Sequence, residues 1–304
     1  MSEVIIVTSG KGGTGKTMFS VNIGTLLAKR GYRTVLIDMD MGLRNLDLYM
    51  GLENNVVYNI MDVLSGVCRV KKALIKDTRF NDLYMMAATP GKDYRDITPL
   101  HMEILCDKLK EQFDYIIIDS PAGMDEGFIN AAAAADRAVI VTEPEVASVR
   151  DADTIDNCLE EIGIKKRFFV VNKMRAGLMA TGLVPNLPDI SDMLKPRLLG
   201  VIQDDDNIYI STNTGVPIVL KEDTYIAENF NNILDRLIEE DEANTPVEEE
   251  TDEAPAEAEK PEAPDEEEAE ESAESEEKDA PADETASEEN EAPEEGSIPE
   301  DNEE

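Results

Sequence analysis

Gly10-Lys11-Gly12-Gly13-Thr14-Gly15-Lys16-Thr17 is the stretch of this sequence that decides the fold. It matches G-x-x-x-x-G-K-[ST], the pattern of a phosphate-binding loop. The β-branched run Val4-Ile5-Ile6-Val7 precedes it, and a segment with apolar residues at helical spacing, from Phe19 to Leu27, follows it. A strand, a glycine loop and a helix in this order predict nucleotide binding, and a plain glycine turn is the alternative interpretation.

The residue types of this loop suit a bound polyphosphate. Its glycines allow the backbone to turn N–H groups toward phosphate oxygens, with the positive end of the helix dipole behind them. Lys16 provides a charge for the β- and γ-phosphates, and the Thr17 hydroxyl provides a ligand for Mg²⁺. We therefore predict that residues 10–17 and the following Met18 contact the nucleotide. Lys11 is unusual in such a loop, and it is either a surface charge or an extra phosphate ligand supplied across an interface.

Polar residues also end three apolar strands. Asp38 follows Val35-Leu36-Ile37, Asp119 follows Ile116-Ile117-Ile118, and Asn172 follows Val170-Val171. Ligands of parallel α/β sheets bind beyond the carboxyl ends of the strands, so these side chains are candidates for the same site.

Each candidate has a role and a simpler alternative. Asp119 is positioned like a Walker-B aspartate that holds Mg²⁺ through water, and the alternative is a turn residue at a strand end. We predict that Asp38 belongs to the metal shell and that Asp40 positions the attacking water. The alternative for both is a simple solvated turn. Asn172 could recognise the base through its side-chain amide, which both donates and accepts hydrogen bonds.

Strands and helices alternate along the rest of the chain. This alternation predicts an α/β fold, doubly wound around a mostly parallel sheet. Further strands are expected at 83–87, 138–142 and 198–202, and helices at 59–64, 100–113, 147–162 and 226–238, whereas 39–53 has the composition of a loop.

The net charge of −39 is unevenly distributed. From Glu239 to Glu304 the chain has 33 acidic and two basic residues, whereas the preceding part has 34 acidic and 26 basic residues. We therefore predict a mildly acidic globular domain over residues 1–241, which contains the phosphate-binding loop, and an acidic tail over 242–304. The tail is rich in Glu, Ala and Pro and cannot bury enough apolar surface to fold, so it is expected to be disordered. This charge disfavours nucleic acid as a partner.

Other residue types exclude several kinds of chemistry. The three cysteines, Cys68, Cys106 and Cys158, have no C-x-x-C spacing, and His101 is the only histidine. We expect neither a zinc site nor a Ser/His nucleophile. The cysteines are expected to be inert thiols in a reducing compartment. We expect no leader, because the first strand is predicted to begin at once, and no membrane span, because no apolar run approaches the ~18 residues that one needs. We expect a cytoplasmic protein, peripheral on the inner face of the cell membrane at most.

These motifs resemble those of one family. The loop at 10–17 looks like the deviant Walker A motif of the MinD/ParA class of P-loop ATPases. Asp38-Met39-Asp40, the following Gly42–Asp47, Asp119–Gly123 and Val170–Lys173 resemble the MinD family, the septum site-determining ATPases of bacteria.

The resemblance covers about residues 4–240 and implies a mechanism. It implies an ATP-dependent homodimer with two nucleotides at its interface, in which Lys11 reaches the partner's phosphates and Asp40 acts on the attacking water. It also implies membrane binding, recruitment of a division inhibitor, and a topological-specificity partner that triggers hydrolysis.

The sequence departs from the family in two places. Gln203-Asp204-Asp205-Asp206 stands where the family often has proline in a base-contacting loop. The last predicted helix is followed by the acidic tail, where the family has a basic amphipathic helix that lies on anionic lipid. The negative surface potential of a membrane would repel such a tail, which could instead solvate the domain or bind a basic partner.

Two hypotheses remain from the sequence. The first is a MinD-like ATPase that hydrolyses ATP with Mg²⁺ and whose ATP-dependent dimerisation controls partner binding in division-site placement. The alternative is a cytosolic scaffold or cargo-positioning ATPase of the same fold, with a tail that binds a basic partner and no role for the membrane. DNA partition would need a basic surface, and a metabolic kinase would need an acceptor site that the sequence does not reveal.

Overall fold

The computed structural model of the protein describes residues 2–41, 43–89, 91 and 97–239. Its strands are β1 (Glu3–Thr8), β2 (Thr34–Asp38), β3 (Ile75–Lys76), β4 (Leu83–Met86), β5 (Tyr115–Asp119), β6 (Arg137–Thr142), β7 (Lys166–Met174) and β8 (Arg197–Gln203). Within the described residues these strands form one sheet in the order β3-β4-β2-β5-β1-β6-β7-β8. Every neighbouring pair is parallel except β3 and β4, which confirms the predicted α/β class.

Helices cover both faces of this sheet. They are α1 (Lys16–Lys29), α2 (Leu46–Met50), α3 (Ile60–Leu64), α4 (Val70–Ala73), α5 (Pro99–Lys110), α6 (Glu126–Ala132), α7 (Val146–Ile162), α8 (Ala176–Met179), α9 (Leu187–Met193), α10 (Asp206–Thr214) and α11 (Tyr225–Ile238).

The central strand β5 explains why the sequence has such continuous apolar runs. Its Ile116 and Ile118 point into one core together with α5, α6 and α7. Ile117 points into the opposite core, together with α1 and α11. All three side chains are fully buried, as expected for a parallel strand covered on both faces.

The last helix closes one of these cores. Thr224 caps α11 by accepting the Ala227 N–H at 3.2 Å. The Phe230 ring packs against Phe19 of α1, with centroids 6.2 Å apart. The apolar spacing therefore predicted this helix correctly, within one residue at its start.

One prediction of local structure was wrong. Residues 39–53 were expected to be a loop, but they contain α2 and the start of a 3₁₀ turn at Glu53–Asn55. A five-residue helix is too short to form alone and shows no clear period, so tertiary contacts must stabilise it. Leu46 and Met50 provide such contacts because both are fully buried. The short elements α4, α6, α8, α9, α10 and β3 were missed for the same reason.

Some predictions fall outside the described residues. These include the acidic tail at 242–304 and Gly42 of the MinD-like motif, and both stay predictions. Among the described helices, none is long and apolar enough to cross a membrane.

Candidate nucleotide-binding site

The glycine loop connects β1 to α1, as its sequence predicts. Gly13 and Gly15 have positive φ angles of 80° and 99°, a region that favours glycine. A Cβ atom on Gly15 would lie 2.3 Å from Asn172 Nδ2, so glycine is also needed there for space. The loop ends at the N-terminus of α1, where free backbone N–H groups and the helix dipole favour an anion.

Lys16 and Thr17 begin α1 beside the end of β5. The Lys16 side chain is buried, and burial lowers its pKa, while the charges of Asp119 and Asp40 act in the opposite direction. A bound phosphate would provide this buried ammonium group with negative charge. The role of Lys16 at the phosphates stays a prediction.

Asp119 is the carboxylate closest to this helix start. Its Oδ2 accepts the Thr17 hydroxyl at 2.7 Å, and its Oδ1 accepts the Ser20 hydroxyl at 3.0 Å. Burial raises the pKa of Asp119 to about 6, whereas the Thr17 hydrogen bond and the Lys16 charge lower it. A hydroxyl and a carboxylate side by side are hard oxygen donors, and this pair fits Mg²⁺. Ser20 was not predicted, although its position one turn after Thr17 was a signal for it.

Asp38 lies next to Asp119 in the sheet register between β2 and β5. Its two carboxylate oxygens accept backbone N–H groups from Asp40 at 2.9 Å and from Leu46 at 3.1 Å. Burial, followed by the charge of Asp119, raises the pKa of Asp38 to about 8. These contacts therefore fix the backbone of the loop that carries Asp40. The place of Asp38 in the metal shell stays a prediction.

Asp40 and Lys11 occupy the more open part of the site. Asp40 is partly exposed, and its Oδ1 accepts the Leu43 N–H at 3.2 Å. Lys11 is exposed, and its ammonium group donates to Glu145 Oε2 at 3.1 Å. That hydrogen bond and the Glu145 charge raise the pKa of Lys11. Glu145 was not singled out in the sequence, since it lies 134 residues away from Lys11.

The end of β7 supports the loop from behind. The buried Asn172 donates its side-chain N–H to the Thr14 carbonyl at 2.7 Å. Lys173, which has a positive φ angle, donates to the Gly13 carbonyl at 2.8 Å and pairs with Glu143 at 2.7 Å. Base recognition by Asn172 stays a prediction, and the observed hydrogen bond gives its amide a second role, which is to hold the loop.

A cavity of about 690 Å³ opens beside the loop. This volume lies within the range of small-molecule sites. Its walls come from the loop, from the end of β7 and from two short helices, α2 and α10, and include Gly13, Gly15, Met18, Leu48, Tyr49, Asn172, Asp204, Asp205, Ile208 and Tyr209. Asp204 and Asp205, two of the residues that depart from the family pattern, therefore line this cavity.

A phosphate-binding loop at the carboxyl edge of a parallel sheet, with Asp119 hydrogen-bonded to Thr17, defines a P-loop nucleotide-binding protein. The nucleotide-binding domain of the CobQ/CobB/MinD/ParA family matches residues 5–218. The septum site-determining protein MinD of Bacillus subtilis is 44% identical over 242 residues, which are 79% of this chain and 90% of that protein. The chain belongs to this nucleotide-binding family and, within it, to the MinD family.

Two solved structures agree with this assignment. The MinC:MinD cell division complex of Aquifex aeolicus matches with a TM-score of 0.71 at 40% identity, over 78% of this chain and 95% of that one. MinD of Pyrococcus horikoshii, complexed with Mg-ADP, matches with a TM-score of 0.71 at 26% identity, over 79% and 97% of the two chains.

Proposed function

We propose that this protein is a Mg²⁺-dependent ATPase that hydrolyses ATP to ADP and phosphate and acts in division-site placement. The observation that carries the proposal is the cluster of Lys16, Thr17 and Asp119 at the end of the glycine loop, with the loop of Asp40 beside it. The family membership and the Mg-ADP complex of the Pyrococcus relative support the binding of a nucleotide and of Mg²⁺.

Each residue of the cluster has a separate role in the proposed phosphoryl transfer. Lys16 neutralises phosphate charge, and Thr17 and Asp119 would hold Mg²⁺, directly and through water. When bound, Mg²⁺ would neutralise negative charge on the phosphates. Asp40 positions the attacking water, and Asp38 fixes the backbone around Asp40.

We further propose that ATP binding produces a homodimer in which Lys11 contacts the phosphates bound by the partner. Lys11 is suited to this movement because its ion pair with Glu145 is exposed on both sides, with 48% and 55% of the side-chain surfaces accessible. Exposed ion pairs contribute little, so exchanging Glu145 for a phosphate has a low cost.

The proposed partners follow from the relatives. The Aquifex complex contains MinC together with MinD, which supports recruitment of a division inhibitor. A topological-specificity partner that triggers hydrolysis completes the proposal, and nucleic acid has no role in it. The proposed location is the cytoplasm, with peripheral binding to the inner face of the cell membrane in the ATP-bound dimer.

ATP hydrolysis and solution mass, measured with ATP and with ADP, test the catalytic part. Lys16→Ala should lose nucleotide binding, Asp40→Ala should bind ATP and dimerise without turnover, and Lys11→Ala should bind ATP and remain monomeric. Lys29→Ala is the matched control, because Lys29 is at the other end of the same helix and pairs with Glu222. ATP affinity that survives in Lys16→Ala would refute the site, and an ATP-bound Lys11→Ala dimer would refute action across the interface.

The strongly acidic segment after Glu239 favours a second candidate, a cytosolic scaffold or cargo-positioning ATPase. Co-sedimentation with anionic liposomes distinguishes the two functions when the full chain and a chain ending at Glu242 are compared. ATP-dependent pelleting of the full chain supports membrane cycling. Pelleting of the shorter chain alone means that the acidic segment opposes membrane binding, and no pelleting of either chain favours the scaffold.

A further inference from the structure

We propose that Arg79 is a positioning residue that sets the width of the cleft for the nucleoside part of the nucleotide. The inference rests on the nucleotide binding proposed above. It concerns the base half of the site, to which no residue beyond Asn172 was assigned from the sequence.

The two helices that form the cleft walls touch at their C-terminal ends. Both α2 and α10 end at a glycine with a positive φ angle, 66° at Gly51 and 64° at Gly215. A Cβ atom on Gly215 would lie only 2.6 Å from the Gly51 Cα atom. The two backbones are therefore in direct contact, and both glycines line the cleft together with Leu48 and Tyr209.

Arg79 connects these two helix ends. Its guanidinium group donates to the Met50 carbonyl of α2 at 2.6 Å and to the Gly215 carbonyl at the end of α10 at 3.1 Å. Carbonyl groups at a helix C-terminus have no partner within the helix, and a cation there also interacts favourably with the helix dipole. One side chain thus provides hydrogen-bond donors to carbonyl groups at the C-terminal ends of both helices.

Asp77 holds the guanidinium group in place. Arg79 Nε donates to Asp77 Oδ1 at 2.9 Å and Arg79 Nη2 to Asp77 Oδ2 at 2.7 Å, and the Asp77 side chain is 1% exposed. The Asp77 N–H in turn donates to the Leu83 carbonyl of β4 at 2.9 Å. The pair therefore fixes both cleft walls to the edge of the sheet, and only the planar, five-donor guanidinium can make all these bonds together.

This arrangement affects the two halves of the nucleotide differently. A base inserted between α2 and α10 would contact both walls, and a width fixed in advance removes the cost of ordering them on binding. The phosphates contact the loop before α1, to which Arg79 makes no hydrogen bond among the described residues. Loss of Arg79 should therefore weaken the nucleoside contribution and leave phosphate binding intact.

Calorimetric titration of the full chain with Mg-ADP and with Mg-pyrophosphate tests this inference. In Arg79→Ala we expect the Kd of ADP to rise about tenfold while the Kd of pyrophosphate changes by less than about twofold. Arg33→Ala is the matched control, because Arg33 makes the same two-pronged contact with Asp114, at 2.6 and 3.1 Å, outside the cleft. In that control, the Kd of ADP and the Kd of pyrophosphate should both match the wild-type values.

The outcomes separate this inference from the proposed function. An Arg79→Ala chain that keeps the wild-type ratio of the two Kd values overturns the role of Arg79 alone, as does a wild type that binds both ligands equally tightly. A wild type that binds neither ligand overturns the proposed function as well. If Arg79→Ala does not fold, Arg79→Lys keeps the charge without the two-helix contact and should give the same selective loss for ADP.

Discussion

Replacing Asn172 by alanine tests whether this side chain holds the phosphate loop or recognises the base. In the structure its amide donates to the Thr14 carbonyl at 2.7 Å and fills the space next to Gly15. If the amide holds the loop, Asn172→Ala weakens every ligand that uses the loop. If it recognises the base, the same change weakens only ligands that carry a base.

The size of the effect follows from burial. Asn172 is 3% exposed, so its removal leaves the Thr14 carbonyl without a partner in a place that water reaches poorly. Such a loss costs about 1–3 kcal/mol of folding free energy. If about 1 kcal/mol of this is the cost of reordering the loop on binding, the Kd values of Mg-ADP and Mg-pyrophosphate both rise by roughly fivefold.

Asn130→Ala is the matched control for this measurement. Asn130 is 5% exposed and donates its amide to the Ile97 carbonyl at 2.9 Å, away from the loop. Urea unfolding should show comparable destabilisation of both variants, whereas calorimetry should show weaker ligand binding only for Asn172→Ala. A rise in the Kd of ADP with an unchanged Kd of pyrophosphate would refute the role in the loop and support base recognition.

Three further predictions follow from the buried titratable groups. Burial raises the pKa of Asp38 to about 8, so the folded chain keeps a proton that the unfolded chain loses near pH 3.8. The free energy of unfolding should therefore fall as the pH rises from 6 to 8. Asp38→Asn should flatten that slope in urea titrations, and equal slopes would contradict the assignment. Asp119→Asn should abolish the gain in ADP affinity that Mg²⁺ provides, measured by titration with and without the metal, and a gain that persists would exclude Asp119 from the metal site. Burial raises the pKa of the Cys106 thiol to about 12, so Ellman's reagent should label Cys68 and Cys158 in the folded chain and Cys106 only in urea; three rapidly labelled thiols would contradict this.

Some elements of the fold could be predicted because their patterns are strong. β5 is a continuous apolar run that ends in an aspartate, and α11 has apolar residues at helical spacing over 14 residues. Both were located within one residue. The elements that were missed have two to nine residues and no comparable pattern; they are α2, α4, α6, α8, α9, α10 and β3. The helix α2 exists because Leu46 and Met50 reach a core formed by distant parts of the chain, and a local pattern contains no information about that core.

The residues of the candidate phosphate site could be brought together from the sequence for a related reason. Its main residues lie in one contiguous motif, and Asp38 and Asp119 could be added because parallel strands bring their carboxyl ends to the same edge. The sequence did not reveal how those residues are used. The two oxygens of Asp38 bind backbone N–H groups, one of them eight residues further along the chain, and such a contact depends on the path of the loop.

The cavity proposed for the base has no contiguous motif. Its walls come from α2, from the end of β7 and from α10, and the Arg79–Asp77 pair that connects α2 to α10 lies in a turn between two strands at the sheet edge. Neither Asp77 nor Arg79 lies near the cleft-wall residues in the sequence, so no local pattern indicates that they connect the two helices. The phosphate site can therefore be recognised from sequence because it depends on local backbone geometry. The proposed selectivity for a base depends on how separate elements are held together, and only the folded chain reveals that arrangement.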